Sequence, residues 1–243
     1  MHRFFLPSLN ISKTTIVLQD KEQVHHLKDV LRLKEKDNVI VFDSQGNEYA
    51  CRIEKISDKV SLEIKNILPA NQEAGIKITV ACALPKKAKM DDIIDKLTQL
   101  GVYKIIPLIT ERVIVKLDRK KEEERVERYK RIALSAVKQS QRNTVPVIDR
   151  ITDIGAILSA KEHFDLKLIP TLEGKKSSLK EIFTRHNPKS VLVLIGPEGD
   201  FTPQEVESAK NKGFIPVSLG ENVLRVDTAA IAVVSFIKLN AND

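Results

Sequence analysis

Near the carboxyl end of the chain an apolar run, VLVLI, stops at a glycine loop, GPEGD, and a polar amphipathic stretch, FTPQEVESAK, follows. A loop held between a strand and a helix start presents backbone N–H and C=O groups to a ligand. The residues of this loop select against phosphate. A phosphate cradle needs Lys followed by Ser or Thr, and a dinucleotide loop needs G-x-G-x-x-G; neither pattern occurs. Glu198 and Asp200 repel a pyrophosphate, and Pro197 has no N–H to donate. A neutral or cationic ligand suits Gly196, Pro197, Glu198 and Gly199 better. The bland alternative is a tight strand-to-helix turn with no ligand. The helix that follows is well specified. TPQE is a capping box with Thr202 as N-cap, Pro203 at N1 and Glu205 at N3. Phe201 and Val206 take the positions of a hydrophobic staple.

Two further loops carry candidate chemistry. In SLGENVLRVDTAAIAV, Gly220 ends a strand and Arg225 sits in a short connection to the last helix. An Arg fixed there can stabilise developing negative charge; a surface Arg paired with a carboxylate is the commoner case. Asp227 or Thr228 can cap that helix. The other loop is IPTLEG, again at a strand end, and alone it says little. In KQSQRNTVP, at the end of a long basic helix, Gln139, Gln141 and Arg142 can reach RNA bases or backbone; otherwise they form a polar helix end. His25 and His26 are adjacent and cannot readily face one metal, so no metal is expected. G-x-S-x-G, H-E-x-x-H and a Cys/His nucleophile arrangement are all missing from the sequence.

The elements that position these loops divide in two. Residues 1–70 read mainly as strands: NVIVFD and EYACRIEKI flank SQGN as a hairpin, and VSLEIKNIL alternates Val60, Leu62 and Ile64. QVHHLKDVLRL sets Val24, Leu27, Val30 and Leu31 on one helical face. The expectation is a small barrel-like domain, with PANQEAG (Pro69 to Gly75) as linker. From Ile76 strands and helices alternate. ITVACAL, KIIPLI, VPVID, DLKLIP, VLVLI and FIPVSL are strands. Helices fall at MDDIIDKLTQL, Arg119 to Ser140, Ile154 to Ala160, Leu179 to Arg185, from Pro203, and from about Thr228 to Leu239. That alternation gives an α/β domain over residues 75–243 with a parallel sheet covered on both faces. Ligands in such sheets bind beyond the carboxyl ends of strands, where the three loops lie.

The totals agree. The chain has 243 residues, 42% hydrophobic and 30% charged, which is enough apolar material for a sizeable core. The formal charge is +7, and residues 112–142 hold eleven Lys or Arg against five Asp or Glu. A basic balance suits a polyanionic partner, although a solvated helix face explains the cluster about as well. Cys51 and Cys82 lie in apolar runs and read as buried free thiols in a reducing compartment. No stretch reads as a signal peptide or membrane span, so a cytoplasmic location and no membrane partner are expected.

HHLKDVLRLK, DKLTQLGVYKIIPLITER, KQSQRNTVP, IGPEGDFTPQE and LGENVLRVDTA, in this order along the whole chain, resemble the RsmE family. These are the 16S rRNA (uracil-N3)-methyltransferases of the SPOUT superfamily. The resemblance implies a PUA-like β-barrel that binds RNA (1–70) and a SPOUT domain (75–243) whose sheet is tied in a trefoil knot. It implies S-adenosyl-L-methionine in the knotted loops, a homodimer, and a substrate uridine in helix 44 of 16S rRNA, near the decoding site of the small ribosomal subunit. Three positions depart from the family pattern: Asp200 stands for a usual second glycine, Asp227 for Glu, and Val113 for Ser.

On this reading Thr171, Leu172, Gly196, Pro197, Glu198, Gly199, Leu219, Gly220, Val223, Leu224, Thr228 and Ala229 hold the cofactor. Arg225 stabilises charge on the uracil, and Glu198, Asp227 or a water relay accepts the N3 proton. Arg3, Arg32, Lys34, Arg112, Gln139, Gln141 and Arg142 face RNA. Two rivals remain at this point: a nucleotide-dependent enzyme on a doubly wound sheet, and a non-catalytic RNA-binding protein that kept the fold.

Overall fold

A computed structural model describes the chain except residues 7–10, 13, 44–45, 69–74, 87–88, 114–117, 173 and 241–243, and the side chains of 11 and 12. The linker expected at Pro69 to Gly75, apart from Gly75 itself, and half of the SQGN turn therefore lie outside the described residues. The chain falls into two units, residues 1–74 with 137–145, and residues 75–136 with 146–243.

The first unit is one six-stranded sheet. Its strands are β1 (His2–Leu6), β2 (Ile11–Ser12), β3 (Thr15–Leu18), β4 (Asn38–Asp43), β5 (Glu48–Ile56) and β6 (Val60–Leu68), in the spatial order β1-β4-β5-β6-β3-β2. β1 and β4 are parallel and the other pairs antiparallel. The register of β5 on β6 shifts at Ala50/Cys51 and Ile53/Lys55. Such bulges add twist, and they fall in the strand that must bend if the sheet is to wrap its apolar face. Phe4, Ile16, Leu18, Val39, Val41, Ile53, Val60 and Leu62 fill that face.

α1 (Lys21–His25) starts at Asp20, whose Oδ1 accepts from Gln23 N at 2.9 Å. It runs straight into a π-helical turn, His26–Val30, in which Leu31 N donates to His26 O at 2.9 Å. The wider turn changes the phase of the apolar face. Val24 and Leu27 are buried as expected, but Val30 is 58% exposed and Leu31 takes its place against the core. A helical period of 3.6 could not foresee this, because the π turn spans one more residue.

In the second unit every strand pairing is parallel. The elements are β7 (Lys77–Ala83), α2 (Lys89–Gln99), β8 (Lys104–Ile109), α3 (Arg119–Ser140, of which residues 137–140 fall in the first unit), β9 (Val147–Ile148), β10 (Thr152–Asp153), α4 (Ile154–Ser159), β11 (Leu166–Pro170), β12 (Ser177–Ser178), α5 (Leu179–Arg185), β13 (Ser190–Ile195), α6 (Pro203–Asn211), β14 (Ile215–Ser218) and α7 (Val226–Asn240). The order across the sheet is β10-β8-β7-β13-β11-β14-β12, with β9 also on β8. VPVID is a strand only at Val147–Ile148.

β13 shows why the central strands read as unbroken apolar runs. Val191, Val193 and Ile195 pack into one core, and Leu192 and Leu194 into the core on the opposite face. α2 buries Met90, Ile93, Ile94 and Leu97. It ends in a Schellman motif: Gly101, at φ +79°, donates to Thr98 O, and Val102 N donates to Leu97 O. α7 begins two residues earlier than the sequence suggested. Ala229 N donates to Arg225 O at 2.8 Å, so Asp227 and Thr228 lie inside the first turn and neither is the cap.

Candidate functional site

The loop from β13 to α6 is closed by a turn in which Asp200 N donates to Pro197 O at 2.9 Å. Asp200 has φ of +58°, in the left-handed region that Asp and Asn enter more easily than other side chains. Its Oδ1 accepts from Phe201 N at 2.8 Å. Its Oδ2 accepts from Leu172 N at 2.8 Å and from Thr171 Oγ1 at 3.1 Å, beyond the end of β11. Glu198 Oε1 accepts from Lys86 N at 3.0 Å, beyond the end of β7. Glu205 is buried and completes the capping box with Thr202. Its carboxylate accepts from Thr202 N at 2.8 Å and from Glu111 N at 2.9 Å, beyond the end of β8. Arg112 donates to Gly199 O and, at 3.4 Å, to Phe201 O.

Each carboxylate of this segment therefore takes a backbone N–H from a different neighbouring loop. Hydrogen bonds to a charged acceptor are the stronger kind. The acidic residues that make the loop hostile to phosphate also hold it in shape. Gly196 is closely packed: a Cβ there would stand 3.1 Å from two ring atoms of buried Phe201 and 3.3 Å from Asp200 Oδ1, so the neighbours would have to give by a few tenths of an ångström.

The three loops expected from the sequence meet at one cavity of about 200 Å³. Of the residues expected to hold the cofactor, Thr171, Leu172, Gly196, Pro197, Glu198, Leu219, Gly220, Val223, Leu224 and Ala229 line it. Gly199 and Thr228 are not among its lining residues, and neither are Arg225 and Asp227. Asp200, Lys176, Glu221 and Asn222 supply polar groups to it that sequence reasoning missed. Leu172 and Val223 are 48% and 72% exposed.

Arg225 is exposed between Leu224 and Val226, both of which line the cavity. Asp227 Oδ1 is buried and has no hydrogen-bond partner among the described residues. Burial, with Asp227 and Glu198 adding negative charge, pushes the Cys82 thiol up to about 12. Burial alone lifts Cys51 to about 11. Both thiols are free and buried.

The candidate RNA-facing residues separate into two kinds. Arg32, Lys34, Gln139 and Gln141 are exposed, with Arg32 at φ +53° and Gln141 at φ +59°. Arg3 and Arg142 are built into the first unit. Arg3 pairs with Glu48, donates to Arg142 O at 3.2 Å and Asn143 Oδ1 at 3.1 Å, and stacks 4.9 Å over the Phe42 ring. Arg142 is buried and donates to Thr144 Oγ1 at 3.1 Å. Arg112, in the second unit, is engaged by the glycine loop as described above.

Comparison with known proteins agrees with the arrangement. A family model of RNA methyltransferase domains matches residues 72–238, and one of RNA methyltransferase PUA domains matches residues 18–65. The chain is similar to the ribosomal RNA small subunit methyltransferase E of Bacillus subtilis, with 34% identity over 98% of this chain and 96% of the relative. The Rickettsia conorii protein of the same name is 31% identical over 98% of this chain and 95% of its own length. Among solved structures, the Neisseria gonorrhoeae ribosomal RNA small subunit methyltransferase E bound to S-adenosyl methionine superposes with a TM-score of 0.88 at 32% identity, covering 98% of this chain and 97% of that one. A Legionella pneumophila methyltransferase in complex with SAM gives 0.86 at 31% identity, over 98% and 96%.

Proposed function

This chain belongs to the ribosomal RNA small subunit methyltransferase E family, and from that premise we propose that it methylates N3 of a uridine in 16S rRNA, in helix 44 near the decoding site, using S-adenosylmethionine. The observation that carries the reading is the single cavity formed by the loops beyond β11, β13 and β14. Its chemistry fits the cofactor, which has a neutral adenine and a cationic sulfonium but no phosphate. Pro197, Leu219 and Leu224 offer apolar walls, and Glu198 offers negative charge. Bound there, the cofactor supplies an electrophilic methyl group. The chain's own part is to hold the two reactants in line, which lowers the entropic share of the barrier.

Uracil N3 carries a proton and attacks only once that proton leaves. Glu198 lines the cavity but its Oε1 is already bonded to Lys86 N, and Asp227 Oδ1 is buried and unpartnered among the described residues but Asp227 does not line the cavity, so the acceptor is Glu198 directly or Asp227 through a water relay. Arg225, exposed beside the cavity lining, would stabilise negative charge on the uracil carbonyl oxygens. RNA is held by exposed Arg32, Lys34, Gln139 and Gln141. Replacing Arg32 and Lys34 by Ala is expected to weaken RNA binding and to reduce the slope of log affinity on log salt by about 2. An unchanged slope removes these two residues from the interface. Among the described residues no helix is long and apolar enough to cross a membrane. A homodimer, a cytoplasmic location and a knotted course of the chain belong to the same reading. Sedimentation across a concentration series tests the first.

The deciding experiment is labelled methyl transfer to small subunits from a strain lacking the protein, followed by mapping of the modified base. The expected product is a uridine methylated at N3 in helix 44. Label at another nucleotide overturns the assigned position, and absence of label overturns the activity.

A further inference from the structure

We propose that Asp200 is a positioning residue whose carboxylate locks the loop beyond β11 onto the loop beyond β13, so that the cavity is formed before a ligand enters it. The inference rests on the proposed cofactor reading only for the identity of the ligand. Three observations carry the clamp itself. First, the carboxylate is fully engaged: Oδ1 with Phe201 N, Oδ2 with Leu172 N and Thr171 Oγ1. Second, the bonds cross between two segments 28 and 29 residues apart in sequence. Thr171 N donates to Val217 O on β14 at 3.3 Å, and Leu172 O accepts from Lys176 within the loop, so neither of these bonds reaches the loop beyond β13. Third, the residue holds a left-handed backbone, φ +58°, that glycine would adopt without cost. An aspartate is strained there unless its side chain offsets the strain, and the three accepted hydrogen bonds do so.

These facts separate two effects that usually move together. Asp200→Gly relieves the backbone strain and removes the clamp at the same time. Because Leu172 is half exposed, water can take over its N–H. The fold should therefore survive while the loop loses its fixed place. Asp200→Asn keeps a side chain tolerated at positive φ, but its amide offers one acceptor oxygen where the carboxylate offers two.

The test uses the full-length protein and two ligands, S-adenosylmethionine and the uncharged thioether S-adenosylhomocysteine, titrated by calorimetry. Asp200→Gly is expected to weaken both by the same factor, about 10- to 100-fold, with Asp200→Asn between Gly and wild type. Hydrogen exchange on the unliganded protein is the second arm. The peptide covering Thr171 and Leu172 should exchange faster in Asp200→Gly, with the thermal midpoint within about 2 °C of wild type. Unchanged exchange overturns the clamp. A loss confined to the sulfonium ligand also overturns it, because the carboxylate would then act by charge. If wild type binds neither ligand, the cofactor reading fails, and the exchange arm still decides the clamp.

Discussion

The loops that line the cavity from β13 and from β14 are built differently. Residues 196–201 are tied to segments beyond β7, β8 and β11 through Glu198, Arg112 and Asp200. Beyond the end of β14, where Ser218 pairs with Ser178 of β12, the side-chain hydrogen bonds of residues 218–224 are internal among the described residues: Ser218 Oγ donates to Gly220 O at 3.2 Å and accepts from Gly220 N at 3.3 Å. Glu221, Asn222 and Val223 are exposed. The first loop is fixed by side chains that reach outward to other backbone; the second is anchored by Leu219 on the core and leaves Glu221, Asn222 and Val223 exposed. A segment with few ties opens at low cost. On the proposed reading one wall of the cavity is preset, and the other, next to Arg225, is the one that would adjust around a substrate.

Four substitutions sharpen or break this contrast. The largest effect is expected at the end of the loosely held loop. Arg225→Ala should lower methyl transfer by about 100- to 1,000-fold and leave the unfolding midpoint unchanged, since the side chain is exposed. Transfer at the normal rate would remove Arg225 from the chemistry. Next comes Gly196→Ala in the fixed loop. The added Cβ meets the Phe201 ring at 3.1 Å, so stability should fall by about 1–3 kcal/mol in urea denaturation, with weaker cofactor binding by calorimetry. A neutral result would mean that the loop is softer than its bonds imply. Thr202→Ala removes the N-cap of α6 and should cost about 1 kcal/mol, seen as a midpoint lowered by about 2–4 °C. The smallest effect belongs to Val223→Ser. Val223 is 72% exposed, and its replacement should change stability by less than about 0.5 kcal/mol. A larger loss would show that the second loop is held more firmly than its hydrogen bonds suggest.

What could be read from the sequence follows a physical line. The limits of α3, the Gly101 stop of α2 and the Thr202–Glu205 capping box are local signals, and each was legible. So was the convergence of three loops, because the position of a strand end in a parallel sheet fixes where its loop emerges. Features that depend on distant partners left no such trace. Arg112 reads as a free basic residue until Gly199 O and Phe201 O are seen beside it, 87 and 89 residues away. Arg3 likewise pairs with Glu48 and Asn143, 45 and 140 residues on. The π turn escaped for a different reason: its residues are good helix formers, and only the hydrogen-bond register distinguishes it. Asp200 stands out in the sequence only as a departure from glycine; its bond from Leu172 N, 28 residues away, is visible in the fold alone.

The Arg3 cluster also sets an order of events in the life of the chain. The acceptors that complete it, Arg142 O and Asn143 Oδ1, emerge from the ribosome long after β1 to β6 have been made. Until residue 143 appears, the nascent sheet carries a guanidinium held by Glu48 without its two remaining acceptors. The amino-terminal unit is therefore early in synthesis but late in completion. A gene fragment cut after residue 74 would encode all its strands and still lack part of its interior.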